Sequence, residues 1–320
     1  MITVTSETYP LRQTFTIARG SITDARVLTV RITRGGATGW GECVPYARYG
    51  ETLTCVSAQI AGIDPEISRA DLQAALPPGA ARNALDCALW DLEAKTTGSR
   101  VWQLAGLPMP VPRMTAFTLS LDLPDAMRAA AVRNAHRPVL KIKLGTPDDM
   151  PRLEAVRAGA PRSTLIIDAN EGWTPQVYTD LAPHLIRLGV ALVEQPLPAG
   201  ADDMLAEIAR PLPVCADESC FDSASLRALK GKYDLINLKL DKPGGLTEGL
   251  MTRALAADLG FGLMVGCMVG SSLGMAPATL LAQSAAYIDL DGPLLLSHDR
   301  SHPLLYDAQG VHPPQPELWG

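Results

Sequence analysis

Between residues 139 and 239, five short apolar runs each end on a charged residue, at a near-constant spacing of about two dozen residues. The runs are Val139–Lys143, Leu165–Asp168, Ala191–Glu194, Pro213–Asp217 and Leu235–Lys239. Each step holds one strand, one loop and one helix, the repeat of a parallel β/α series. Met114–Ser120 predicts a strand before these five, and Gly262–Val269 and Tyr287–Leu290 predict two after them, which makes eight. Right-handed crossovers close such a series into a barrel with its active site at the carboxyl ends of the strands. An open doubly wound sheet is the alternative. It would want Gly-x-Gly-x-x-Gly after its first strand, and none occurs.

The first hundred residues follow a different pattern. Arg26–Thr33 alternates with period two, and Arg34-Gly35-Gly36-Ala37 turns the chain into Thr38–Glu42, so residues 1 to about 60 read as antiparallel β. Residues 55–105 read as helical. Within Ala80–Lys95, Leu85, Leu89 and Leu92 share a face, with Trp90 beside them. Pro108, Pro110 and Pro112 mark a linker. The expectation is an α+β domain over 1–108, a barrel over 109–292, and a segment over 293–320 that packs back on the first domain.

Composition narrows the classes further. A chain of 320 residues with 47% hydrophobic and 19% charged positions is compact rather than disordered. A net charge of −6 and a pI near 5.4 argue against nucleic acid as a partner. The six cysteines form no Cys-x-x-Cys pair, and the start of the chain lacks a basic and apolar leader pattern, so a reducing, cytoplasmic setting is expected. Leu259–Ile288 carries no charge, but Gly260, Gly262, Gly266, Gly270, Gly274 and Pro277 punctuate it. It reads as strand, glycine loop and buried helix rather than a membrane span. The sequence leaves homo-oligomerisation open.

Charge is expensive inside a fully buried parallel strand, so charges in register at strand ends point to chemistry. Asp168, Glu194 and Asp217 converge at the predicted barrel mouth, where they repel one another unless neutralised. An all-oxygen set without His or Cys favours Mg²⁺ or Mn²⁺ over zinc. The plainer reading, one structural ion pair and two caps, accounts poorly for three acids in register. Lys141 and Lys143, two apart on a strand, share a face. Crowding should lower their pKa, and a lysine acting as base near neutrality must fall from ~10.4 to ~7–8, about 4 kcal/mol. Lys239 lies four strands on from Lys143 and faces the acids from the opposite side. Two lysines astride a metal-bound carboxylate can exchange its α-proton from either face. Weaker signals are a phosphate cradle at Gly266–Gly274, which lacks a Walker lysine, a turn at Lys242-Pro243-Gly244-Gly245, and five histidines without metal-ligand spacing.

These residues match a family. Lys141-Ile142-Lys143, Asp168-Ala169-Asn170, Glu194-Gln195-Pro196, Ala216-Asp217-Glu218-Ser219 and Asn237-Leu238-Lys239 resemble the muconate-lactonising subgroup of the enolase superfamily, over nearly the whole chain. The resemblance implies an α/β fold, a modified TIM barrel (β/α)₇β with an α+β capping domain. Asp289-Leu290-Asp291, followed by Gly292-Pro293, is similar to the acidic pair with which dipeptide epimerases hold a substrate α-ammonium, and Gly41–Glu51 and Ala81–Trp90 are similar to the same group. By this resemblance Lys143 and Lys239 are the acid/base lysines, Lys141 contacts the substrate carboxylate, and Asp168, Glu194 and Asp217 hold Mg²⁺. Asn170 and Glu218 stand behind the ligands. Thr118 and the backbone of Cys267-Met268-Val269 line the substrate site, and Arg19 meets a glutamyl side chain. The implied reaction is Mg²⁺-dependent epimerisation of the C-terminal residue of a small dipeptide, L-Ala-L/D-Glu foremost, in the recycling of cell-wall peptides. A lyase or cycloisomerase of the o-succinylbenzoate synthase type, and a non-catalytic metal-binding barrel, are the alternatives. In one departure, Gly270 stands where some relatives carry an acidic residue.

Overall fold

The computed structural model describes residues 1–320. Three antiparallel strands open the chain: β1 (Ile2–Ile17), β2 (Gly20–Arg34) and β3 (Ala37–Cys43). The β2–β3 turn runs through Gly35 and Gly36, both at positive φ, which glycine adopts without steric cost. Alternation buries Leu28, Val30 and Ile32 against the helix Ala80–Thr97, where they meet Ala84, Leu85, Ala88 and Leu89. β3 lies so close to that helix that a Cβ on Gly41 would meet Ala84 O at 2.0 Å.

The barrel strands are β4 (Phe117–Leu119), β5 (Val139–Lys143), β6 (Thr164–Asp168), β7 (Val190–Glu194), β8 (Val214–Ala216), β9 (Leu235–Leu238), β10 (Gly262–Gly266) and β11 (Tyr287–Asp289). They pair in parallel, in chain order. The Ala116 amide donates to Ile288 O at 2.8 Å and brings the two edges together, so the sheet is a nearly closed barrel. Strand parity then decides the site. Leu140, Ile142, Leu165, Ile167 and Val193 face outward, and Ile166, Leu192, Cys215, Leu235 and Met264 form an apolar plug within the barrel. Two residues beyond Ile166, Leu192 and Cys215, on the same inward face, stand Asp168, Glu194 and Asp217. Register holds Lys143 opposite Asp168 and Asp168 opposite Glu194.

Three expectations shift. The first strand shortens to Phe117–Leu119, and the seventh ends at Gly266, which frees Cys267–Val269 for the cavity wall. The connections after β7 and β8 carry 3₁₀ turns, Asp203–Ala206 and Ser223–Leu229, in place of α-helices. Four α-helices, Pro124–Arg133, Met150–Gly159, Pro175–Arg187 and Leu246–Asp258, serve other crossovers.

Residues after Leu295 touch both the N-terminal domain and the barrel: Tyr306 Oη donates to Leu290 O at 2.7 Å, and Val311 pairs with Arg113. The Ser297 amide donates to Pro10 O at 2.8 Å, and Trp319 Nε1 donates to Cys87 O at 2.9 Å. Arg300 pairs with Glu7 and with the buried Glu42, each at 2.7 Å. No helix is long and apolar enough to cross a membrane. Since helix backbone cannot yield at Gly41, Gly41→Ala should cost about 3 kcal/mol. Urea denaturation should show it as a lower midpoint with an unchanged slope.

Candidate active site

One carboxylate oxygen from each of Asp168, Glu194 and Asp217 falls within 4.8 Å of the others, and all three residues are buried. Each acid has one oxygen tied back. The Asn170 amide donates to Asp168 Oδ1 (2.9 Å), Asn237 Nδ2 to Glu194 Oε1 (2.7 Å), and Lys242 Nζ to Asp217 Oδ1 (2.7 Å). Asn170 holds a left-handed backbone, φ 45°, to make its contact.

Ammonium groups face the remaining oxygens. Lys143 Nζ donates to Asp168 Oδ2 at 2.6 Å, and Lys239 Nζ to Asp217 Oδ2 at 2.6 Å. These lysines come from β5 and from just past β9, on opposite flanks of the triad. Lys141 Nζ reaches Glu194 Oε2 and Asp289 Oδ2, each at 2.7 Å, and Asp168 Oδ2 at 3.2 Å. Burial would raise Asp168 and Asp217, but the adjoining lysines hold both below the usual carboxylate range. Glu194 is pushed up to about 7 by burial and by the Asp168 charge. The expected fall in pKa is not found for Lys141, and Lys239 behaves in the same way as Lys141. Burial does lower them, but the carboxylates outweigh it and hold both well above the ordinary value.

The donor set fits a hard divalent cation. It is all oxygen, and Glu194 Oε2, although close to Lys141, is buried without a hydrogen-bond donor aimed at it.

Asp289 and Asp291 lie beside the triad at the end of β11, both buried. The Thr118 amide donates to Asp291 Oδ2 at 2.6 Å, and Thr118 Oγ1 lies 3.4 Å from Asp289 Oδ1. Burial and the Asp289 charge push Asp291 up to about 7. A cavity of about 840 Å³ joins this pair to Lys141, Lys143, Lys239, Asp217, Thr118 and Cys267-Met268-Val269. Gly270 has a steric reason: a Cβ there would meet Glu42 Oε1 at 2.9 Å and Val44 Cγ2 at 3.3 Å, so an acidic side chain would press toward a second buried carboxylate.

Arg19 reaches the same cavity from the β1–β2 turn. Its guanidinium donates to Glu218 Oε1 (2.7 Å), Asn170 O (2.8 Å) and Glu171 Oε2 (3.0 Å), and so pins that turn across the barrel mouth. Sequence reasoning missed Asn237, which carried a signal inside Asn237-Leu238-Lys239. It also missed Lys242, read as a turn residue, and Tyr49, which lines the cavity from the first domain with its pKa pushed up by burial and by Asp217.

With this geometry in hand, the comparisons with known proteins agree. Residues 1–106 match the mandelate racemase / muconate lactonizing enzyme N-terminal domain, and residues 125–316 the enolase C-terminal domain-like family. The chain is 43% identical to the L-Ala-D/L-Glu epimerase of Escherichia coli K12 over 97% of this chain and 99% of that protein. It is 45% identical to an N-acetyl-D-glutamate racemase of a Pseudoalteromonas species, over 88% and 91%. An enolase family member from Agrobacterium tumefaciens, solved with sodium and L-Ala-L-Glu, superposes with a TM-score of 0.97 at 52% identity, covering 100% of this chain and 99% of that one. A dipeptide epimerase from Enterococcus faecalis, solved with Mg and L-Leu-L-Tyr, gives 0.90 at 29% identity, covering 98% and 96%. This protein belongs to the mandelate racemase / muconate lactonizing enzyme family of the enolase superfamily, as the motifs led us to expect.

Removing one charge from the triad should weaken its hold on a divalent ion. Partners outside a metal's own ligands are worth about 10–100-fold in affinity. Glu194→Gln should therefore weaken Mn²⁺ binding by about a hundredfold or more, measured by electron paramagnetic resonance of free Mn²⁺.

Proposed function

We propose that this protein epimerises the C-terminal residue of a small dipeptide, L-Ala-L/D-Glu foremost, by proton exchange between two lysines. One observation carries the reading: Lys143 and Lys239 flank the acidic triad from opposite sides, with a second acidic pair, Asp289 and Asp291, beside it in one cavity. Asp168, Glu194 and Asp217 would hold Mg²⁺. When bound, it would withdraw charge from the substrate carboxylate and make the neighbouring α-proton acidic.

The protein's own side chains do the rest. Lys141 contacts the substrate carboxylate. Asp289 and Asp291 receive the α-ammonium in a site dry enough for that pair to orient the dipeptide. One lysine takes the α-proton and leaves an enediolate, and the lysine across the cavity delivers a proton to the other face. The lysine that starts the reaction must be neutral. What raises the Lys239 pKa is the charge of Asp217 and Glu194, and that charge is compensated once a cation occupies the triad. Thr118 fixes the acidic pair, and Cys267-Met268-Val269 forms the wall beside it. Arg19 belongs at the distal end, where an acidic side chain on the second residue would compete with Glu218 and Glu171 for its guanidinium.

Lys143→Ala and Lys239→Ala should each lower kcat for epimerisation of L-Ala-L-Glu by about 10³-fold or more while leaving the circular-dichroism spectrum unchanged. Either variant retaining near-parental turnover would contradict the two-base assignment.

The resemblance to an N-acetyl-D-glutamate racemase favours a second reading, in which the acyl group on the epimerised residue bears no ammonium. Asp289→Asn separates the two. It should lower kcat/KM for L-Ala-L-Glu by about 100-fold, through loss of a buried charge pair, and change that for N-acetylglutamate by less than about threefold. Equal losses on both would mean that Asp289 acts through Lys141, with which it pairs, rather than by receiving an ammonium. A cytoplasmic role in recycling cell-wall peptides is consistent with such a substrate and with six cysteines that are all free thiols.

A further inference from the structure

Of the three groups that tie back the carboxylate triad, two are neutral and one is charged. The Asn170 amide and the Asn237 carboxamide are neutral, whereas Lys242 brings an ammonium to Asp217. Lys242 is fully buried and takes no part in lining the cavity, unlike Lys141, Lys143 and Lys239. Its three donors are all used: on Asp217 O at 2.6 Å, Asp217 Oδ1 at 2.7 Å and Asn237 O at 2.9 Å. Asn237 in turn holds Glu194, so one residue ties two of the three acids to the end of β9.

The turn bearing Lys242 is clamped from outside the barrel. Arg82 Nη2 donates to Pro243 O at 2.6 Å, and the Thr247 amide donates to Asp86 Oδ2 at 2.9 Å, both from the helix Ala80–Thr97. A Cβ on Gly244 would meet Arg82 Nε at 2.5 Å, and one on Gly245 would meet Asp86 Cβ at 2.5 Å, which explains the glycine pair.

We propose that Lys242 is a positioning residue that makes Asp217 a one-oxygen metal ligand, and this rests on the metal site of the function proposed above. With Oδ1 held from behind, only Oδ2 faces the cavity. A Mg²⁺ site demands near-ideal octahedral geometry, whereas a carboxylate binding through both oxygens suits the larger, more tolerant Ca²⁺. The fixed tie therefore selects the smaller ion, and Lys239, on the cavity side of the same carboxylate, stays free to leave it.

Lys242→Met keeps the unbranched stem, one atom shorter, and removes the donors. In the purified protein, it should weaken Mn²⁺ binding by about tenfold or more, by electron paramagnetic resonance, and weaken Ca²⁺ binding less, by calorimetry. Mn²⁺ affinity within about threefold of the parent, or tighter, would overturn the proposal, the second because it would mean that only the lysine's charge matters. The titration uses no dipeptide, so its outcome is independent of whether the substrate has been identified correctly. Should the variant not fold, a crystal structure of the parent with Mn²⁺ decides. Lys242 on Oδ1 with Mn²⁺ on Oδ2 alone supports the proposal, and Mn²⁺ on both oxygens of Asp217 overturns it.

Discussion

Asp168, Glu194 and Asp217 each place a carboxylate in a layer that water scarcely reaches. An ion isolated there costs several kcal/mol, so every charge in the layer must be answered by another within hydrogen-bonding reach. Four lysines answer them, and the fold can be read as the means of delivering those lysines. Parallel strands in register bring Lys143 beside Asp168 and Asp168 beside Glu194. The apolar plug two residues below keeps the layer at one depth. The same mutual neutralisation raises the Lys239 pKa, and in the proposed reaction a cation in the triad would offset the carboxylate charge that raises it.

The N-terminal domain enters this arrangement at two points. Arg19 and Tyr49 reach over the mouth, and the helix Ala80–Thr97 grips the turn after β9. Beside these, Glu42 on β3 meets the loop after β10. It is a buried carboxylate whose pKa burial raises, answered by Ser271 and by Arg300 from the far end of the chain. That contact also crowds any side chain at position 270. Capping domain, strand-seven loop and C-terminal segment thus meet on one ion pair close to the cavity wall.

The sequence made the barrel legible because two patterns coincide in it: apolar runs of strand length, and charges at their carboxyl ends. It made the triad, Lys141, Lys143 and Lys239 legible for the same reason. What stayed hidden depends on partners that no local pattern announces. Lys242 sits in a turn of ordinary composition, and its meaning lies in Asp217, 25 residues away. Arg300 answers Glu42 across 258 residues. The 3₁₀ turns after β7 and β8 occupy spacings that would hold a helix equally well. The direction of the Lys141 pKa is hidden because crowding among lysines is visible in sequence, whereas the nearer contacts with carboxylates are set by packing.

In the proposed reaction, lysines on the two sides of the triad exchange an α-proton of the substrate. Proton NMR of the purified protein with Mg²⁺ and L-Ala-L-Glu in D₂O tests it most directly. Two-sided exchange should abolish the glutamyl α-proton signal while the L,D diastereomer's resonances grow. An α-proton signal that persists without deuterium incorporation, for this dipeptide and for a library of others, would contradict it.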